Sequence, residues 1–181
     1  MSKTKVVLGK NKLVRFSYAN VFNPRADLQG NEKYGVSILI PKSDTKTVKQ
    51  VKAAIAAAAE EGKAKLGGKV PKNYKQPLRD GDEERGDDEA YAGHFFFNAN
   101  SNRKPSVVDE DVNPILDQDE FYSGCYGRAS VNFYAFDSSG NKGVAAGLNN
   151  VQKVKDGERL GGGTSADEDF GNLEADEDDI L

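Results

Sequence analysis

Alternation of apolar and polar positions dominates the chain. From Lys12 to Asn20, Val14, Phe16 and Tyr18 share one face while Arg15 and Ser17 take the other, which predicts a half-buried strand. Turn chemistry follows at Asn23-Pro24-Arg25 and Gln29-Gly30-Asn31. A second strand is predicted from Lys33 to Ile40, with Tyr34, Val36, Ile38 and Ile40 on one face and Pro41 closing it. The period then changes. Ser43 or Asp44 is placed to cap a helix over about residues 45–66, in which Val48, Val51 and Ile55 recur at helical spacing. Ala53–Ala59 adds helix propensity, and Gly67-Gly68 ends the run.

Residues 69–90 follow neither period and read as an irregular excursion, basic and proline-punctuated at first and acidic from Asp80 to Glu89. Strand character returns over Tyr91–Ala99 and, briefly, over Ser106–Val108. The clearest strand runs from Gly124 to Phe136, where Cys125, Gly127, Ala129, Val131, Phe133 and Ala135 form a small or apolar face. Its other face carries Tyr126, Arg128, Ser130, Asn132, Tyr134 and Phe136. Asp137–Asn141 reads as a hairpin connection into a returning strand over residues 142–154. Five or six strands with one helix predict a mainly β protein, an OB-fold-like Greek-key barrel braced by the helix. An immunoglobulin-like sandwich satisfies the same period, which cannot separate the two.

Charge divides the chain of 181 residues into two parts. The net charge is −4, yet residues 161–181 hold eight acids and no Lys or Arg, leaving residues 1–160 at +4. Residues 1–75 alone carry 16 Lys or Arg against five acids. The expected organisation is therefore one domain over residues 1–160, then a Gly161-Gly162-Gly163 linker and a disordered acidic tail. A basic body carrying its own polyanion points to a polyanionic ligand. Cys125 is the single cysteine, which excludes a disulfide within the chain and fits a reducing cytoplasm. With no apolar run of membrane-spanning length, no membrane association is expected.

Ten of the 16 aromatic residues fall between Tyr91 and Phe136. If the small face of the long strand packs inward, Tyr126, Arg128, Asn132 and Tyr134 face outward, as do Phe96, Asn98 and Asn100 on their own strand and Arg15 on the first. Rings interleaved with Arg and Asn suit a single nucleic-acid strand, because every base offers a face to stack and every phosphate needs a cation or donor. The expected phosphate contacts are Arg15, Lys33, Arg103, Lys104 and Arg128. Phe96, Tyr122, Tyr126 and Tyr134 are expected to stack bases, Asn98 and Asn100 to donate hydrogen bonds, and Tyr74 and Lys75 to close over the strand.

Other chemistries have less to stand on. Asp80-Gly81-Asp82-Glu83-Glu84 and Asp109-Glu110-Asp111 allow a divalent-metal nuclease as an alternative, but the first run lacks the Gly and Glu of a calcium loop. His94 is the sole histidine, and the spacing supports neither a nucleophilic site nor structural zinc. No catalytic residue, metal or cofactor is expected. A virion structural or interaction protein is the remaining alternative. In the tail, Phe170, Asp176, Glu177, Asp178, Asp179, Ile180 and Leu181 combine dense charge with isolated apolar anchors, the make-up of a partner-docking peptide.

The runs from Phe121 to Phe136 and from Gly140 to Gln152 resemble a phage protein family long classed as of unknown function, as do Pro77–Asp82 and Phe97–Ser101. Its members look like single-stranded DNA-binding proteins of phage replication modules, and the resemblance spans roughly residues 10–170. It implies an OB-fold related to podovirus-type replication proteins, acting in DNA replication or recombination in the cytoplasm of the infected bacterial host. It also implies an acidic tail that contacts replication proteins such as a polymerase, helicase or nuclease and competes for the DNA groove. A homodimer is compatible with this reading, and the resemblance transfers no list of DNA contacts.

Overall fold

The computed structural model describes residues 3–26 and 28–160. Eight strands form one continuous sheet: β1 (Lys5–Leu8), β2 (Val14–Ala26), β3 (Glu32–Pro41), β4 (Arg79–Asp80), β5 (His94–Ser101), β6 (Ser106–Val108), β7 (Tyr126–Ser138) and β8 (Asn141–Lys155). The first of these has no counterpart in the sequence reading, because four residues are too short to show a period. Helix α1 (Thr45–Glu61) follows β3, and a four-residue helical turn, α2 (Gly81–Glu84), follows β4.

Five of the strands close on themselves. β2 pairs with β3, β3 with β5, β5 with β8, β8 with β7, and β7 returns to β2 through Val14↔Gly127 and Arg15↔Tyr126. All these pairings are antiparallel except β5–β8, where Ala99 lies opposite Ala146 and Asn100 opposite Gly147. A closed five-stranded Greek-key ring is the OB-fold, and a sandwich has no such closure. β1, β4 and β6 extend the edges of β7, β5 and β8.

The inward residues of the ring make the main core: Val14 and Phe16, Val36, Ile38 and Ile40, Phe97 and Ala99, Val131 and Phe133, and Ala146 and Leu148. α1 lies against β1, β7 and β8, contributing Val48, Val51, Ile55 and Ala58. The sequence placed its C-terminus at Leu66. The α-helix stops at Glu61, and residues 63–66 form a 3-10 turn that ends on Gly67 in the left-handed conformation. Among the described residues no helix is long and apolar enough to cross a membrane.

The start of α1 rests on one carboxylate. Asp44 is 1% exposed, and its oxygens accept from the Thr47 amide at 3.2 Å, the Thr47 hydroxyl at 2.6 Å and Asn11 Nδ2 at 2.7 Å. Burial alone would raise its pKa, but these bonds outweigh it and hold the carboxyl below its ordinary value. Its contribution is therefore complete above the unfolded carboxylate pKa near 3.9 and fades as pH falls through the lower folded value. Asp44→Ala should cost about 0.5–2 kcal/mol at neutral pH, measured by denaturant unfolding. Asp44→Asn should show a smaller loss of stability than the parent as the solution is taken below about pH 4.

Candidate nucleic-acid interface

Because β3 and β5 pair in register, their outward residues form two rows, with Ser37 opposite Asn98 and Gly35 opposite Asn100. The Ser37 hydroxyl donates to Asn98 Oδ1, which leaves the amide nitrogen of Asn98 free to face outward. Asn100 lays its side chain over Gly35, in the space where any Cβ would sit. The parallel β5–β8 register carries the rows onward. Asn100 is level with Gly147 and, through it, Asn132, while one step back Asn98 is level with Ala145, the partner of Tyr134. The resulting floor is small-chained and polar, with tyrosine at its edge.

Two clefts lie over this floor and share Asn98. The larger, about 660 Å³, is walled by Tyr18, Arg25, Lys33 and Arg85. The smaller, about 160 Å³, is walled by Lys75, Arg79 and Phe136. Among the described lining residues five are cationic and none is acidic. Tyr18 and Tyr134 are 49% and 48% exposed, the two aromatic rings most open to solvent among the described residues.

Tyr18 departs from the alternation that grouped it with Val14 and Phe16. A register shift between Ser17 and Asn20 interrupts β2, and Tyr18 takes φ +48°, a conformation uncommon for a residue with a bulky side chain. The bulge turns its ring out of the core. Arg85 lies over that ring at 5.6 Å from the centroid, and also over Tyr91 and Phe96 at 5.3 and 5.9 Å. Both Tyr18 and Arg85 escaped sequence reasoning. A bulge leaves no mark on period, and Arg85 is a lone base in an acidic run.

That acidic run is a latch. Lys42 Nζ bridges Asp80 at 2.7 Å and Asp82 at 2.8 Å; the ammonium holds both carboxyls below their ordinary pKa, and they hold its own pKa up. Asp80 also caps α2 through the Asp82 amide, while Asp82 accepts from the Gly93 amide. Asp109 is likewise engaged, accepting from the amides of Asp111 and Asn113. The latched segment packs Tyr91 edge-on against Phe96 at 5.0 Å, forming a second core on the outside of the barrel with Leu39 and Ala90.

This second core corrects one expectation directly. Phe96 does face out of the barrel, but it is 1% exposed beneath Tyr91 and cannot stack a base. Tyr122 is also committed. Its hydroxyl donates to Asp156 and accepts from the Gly157 amide at 3.0 Å, and Lys153 and Arg159 lie against its ring. Arg15 donates to the carbonyls of Gly124 and Glu158 and covers the Tyr126 ring, so it braces the chain instead of standing free. Tyr126 and Arg128 lie opposite Lys155 and Gln152, at the other end of β7 from Tyr134 and outside the cleft linings. Arg103 and Lys104 are exposed on the β5–β6 turn, with Lys104 near the Phe22 ring. Tyr74 is half-buried against the main core, so it anchors its segment and does not swing over a ligand. Of the expected set, the clefts gather Lys33, Asn98, Asn100 and Lys75, with Tyr134 at their edge. The tail residues, Phe170 and Asp176 to Leu181, lie outside the described residues.

A closed OB barrel with a basic, tyrosine-flanked cleft on its second and third strands defines an oligonucleotide-binding class, since that face is where such barrels take their ligands. The comparisons narrow the class. The family model of the single-stranded DNA-binding protein of Enterobacter phage Enc34 matches residues 4–181, and the chain belongs to that family. The family is one of binding proteins, which sets aside the nuclease reading of the acidic runs. Protein p50 of Acyrthosiphon pisum secondary endosymbiont phage 1 is 38% identical, with 93% of this chain and 95% of that protein covered. The bacteriophage Enc34 protein solved in complex with single-stranded DNA shares the fold at a TM-score of 0.76 and 22% identity, over 87% of this chain and 90% of its own. Bacteriophage T7 gp2.5, a single-stranded DNA-binding protein, matches at 0.58 and 17% identity, over 91% and 99%.

The division between covered and open outer face is measurable. Phe96→Ala should cost about 3–5 kcal/mol of stability, as for a large buried aromatic. Tyr134→Ala should stay within about 0.5 kcal/mol of the parent in the same urea titration. A large loss for Tyr134→Ala would mean that its face of β7 is packed.

Proposed function

We propose that this protein coats single-stranded DNA with little sequence preference, seating the strand in the two joined clefts across β3, β5, β8 and β7. The observation that carries the reading is the composition of those clefts: five cations, no acid among the described lining residues, and the open ring of Tyr18, with the open ring of Tyr134 on the strand beside the lining residue Ala145. Cations on the walls answer phosphates, rings offer stacking platforms, and the small floor of Gly35, Ala145 and Gly147 lets bases approach Asn98 and Asn100. Family membership and the DNA-bound relative support the same ligand. Among the described residues no helix projects to read a duplex groove, so single strands should be favoured.

The setting is phage DNA replication or recombination in the cytoplasm of the infected host. Residues 1–160 act as the binding domain and residues 161–181 as an acidic tail that docks replication proteins through Ile180 and Leu181. Leu160 packs on the Leu39, Tyr91 and Phe96 cluster, which Arg85 overlies at the cationic end of the larger cleft. A tail tethered there is at high effective concentration near the cleft and competes with DNA without strong intrinsic affinity.

Fluorescence titration with single-stranded and duplex DNA at two salt concentrations tests the reading, and equal affinity for both forms would overturn it. Tyr18→Ala and Tyr134→Ala should each weaken single-strand binding by about 1–3 kcal/mol and leave the salt slope unchanged. Arg85→Ala should instead flatten the log–log salt slope by about 0.7. Gly35→Ala should weaken binding by displacing Asn100 from the floor, an effect that Asn100→Ala should reproduce.

Deleting residues 164–181 should raise affinity, most at low salt, because the tail and DNA compete through screened charge. Unchanged affinity at about 50 mM salt would reduce the tail to a solubilising appendage. Ile180→Ala with Leu181→Ala should leave DNA binding intact and abolish capture of a replication partner.

A further inference from the structure

Residues 62–79 contain six cations, Lys63, Lys65, Lys69, Lys72, Lys75 and Arg79, and no acid, between Glu60-Glu61 and Asp80. Such a run is ordinarily a solvated loop. Here it is fastened along its length. Leu66 is buried, and Val70, Tyr74 and Leu78 pack against the main core at regular four-residue intervals. Lys63 and Lys65 before these anchors, and Lys69, Lys72 and Lys75 between them, stand exposed.

Backbone bonds fix where the segment runs. The Lys75 amide donates to the Lys142 carbonyl at 2.9 Å, and the Val144 amide donates to the Lys75 carbonyl at 3.0 Å. Gly143 lies opposite Lys75, so close that a side chain there would strike the Lys75 backbone. At the other end Lys142 Nζ reaches Gly67, 3.0 Å from where a Cβ would be. The segment therefore lies along the turn end of the β7–β8 hairpin and adds Lys142 to its cations. Only Lys63, with Glu60 at 3.3 Å, and Arg79, with Glu84 at 3.9 Å, have ion-pair partners among these described groups. The uncompensated charge begins inside the smaller cleft, at Lys75, and continues past its rim.

We infer that residues 62–75, with Lys142, form a second phosphate-binding track that receives single-stranded DNA as it leaves the cleft past the hairpin. The inference rests on the cleft being the DNA seat. The track carries no exposed aromatic ring among its described residues, so it holds the backbone by charge alone and leaves the bases unstacked. Affinity should therefore rise with strand length beyond what fills the barrel, and this added part should be strongly salt-dependent.

The test uses the full chain and a variant with Lys63, Lys65, Lys69 and Lys72 each replaced by Gln, titrated with oligothymidylates of about 8 and about 30 nucleotides; the shorter lies within the 4–16 nucleotides of one OB-fold. A second variant, with Lys5, Lys10, Lys46 and Lys49 replaced by Gln, removes the same exposed charge elsewhere. Thermal melts should be unchanged for both. On the short strand all three proteins should bind alike. On the long strand the track variant alone should lose affinity, with its salt slope reduced by up to about 3, at about 0.7 per lost contact. Equal slopes for parent and track variant on the long strand would overturn the track while leaving the cleft reading intact, as would an equal loss in the control variant. Failure of the parent to hold the short strand would instead remove the cleft reading on which the track depends.

Discussion

The parallel contact between β5 and β8 closes the ring, and the rest of the arrangement depends on it. Every other neighbour in the ring is antiparallel. A parallel pair cannot be joined by a tight turn, so the chain between β5 and β8 must leave the barrel and return. It does so through β6, the loop to β7 and the long β7–β8 hairpin. Closure buries the sheet edges inside the ring. It also brings Asn98 and Asn100 beside Ala145 and Gly147, with Tyr134 and Asn132 beyond, although some thirty residues separate the asparagines from the tyrosine.

A barrel has an outer face all the way round, and most of it is ordinary surface. Here the outer face of β3 and β5 is divided. At one end Leu39 and Phe96 are roofed by Ala90, Tyr91 and Leu160, while at the other Asn98 and Asn100 lie exposed over Ser37 and Gly35. The roof depends on the Lys42 pairing with Asp80 and Asp82, and it delivers Arg85 to the boundary over Tyr18. One acidic segment thus stabilises a second core and sets a cation at the mouth of the cleft. Asp80, Asp82 and Glu84 of this run are paired with Lys42 and Arg79, which lowers the negative charge bordering the proposed site for a polyanion.

The proposed interface would draw on two kinds of interaction that respond differently to conditions. Cations on the walls act through screened Coulomb attraction, effective at a distance and weakened by salt. Tyrosine platforms and floor asparagines act only at contact and are largely indifferent to ionic strength. On the proposed seat, separating rings on the floor's edge from charges on the walls would let a flexible polymer be captured by charge and retained by stacking.

Much of the fold was legible in the sequence because period is a local property. Alternation over Val14–Phe16, Tyr34–Ile40 and Cys125–Phe136 marked real strands, and Asp44 with Gly67 marked the helical region. The charge partition was equally plain. Tertiary structure decided which outward face is covered, and alternation carries no information on that point. Phe96 and Asn98 occupy equivalent positions on one strand, yet one lies under Tyr91 and the other in the open. Tyr18 was misassigned because a single inserted residue reverses the facing of a side chain, and no period records the insertion. Arg85 was passed over because its meaning depends on where an irregular segment docks, which is set by a salt bridge to Lys42 some forty residues away. Sequence alone determined the alphabet of rings, amides and cations; long-range pairing determined which of them share a surface.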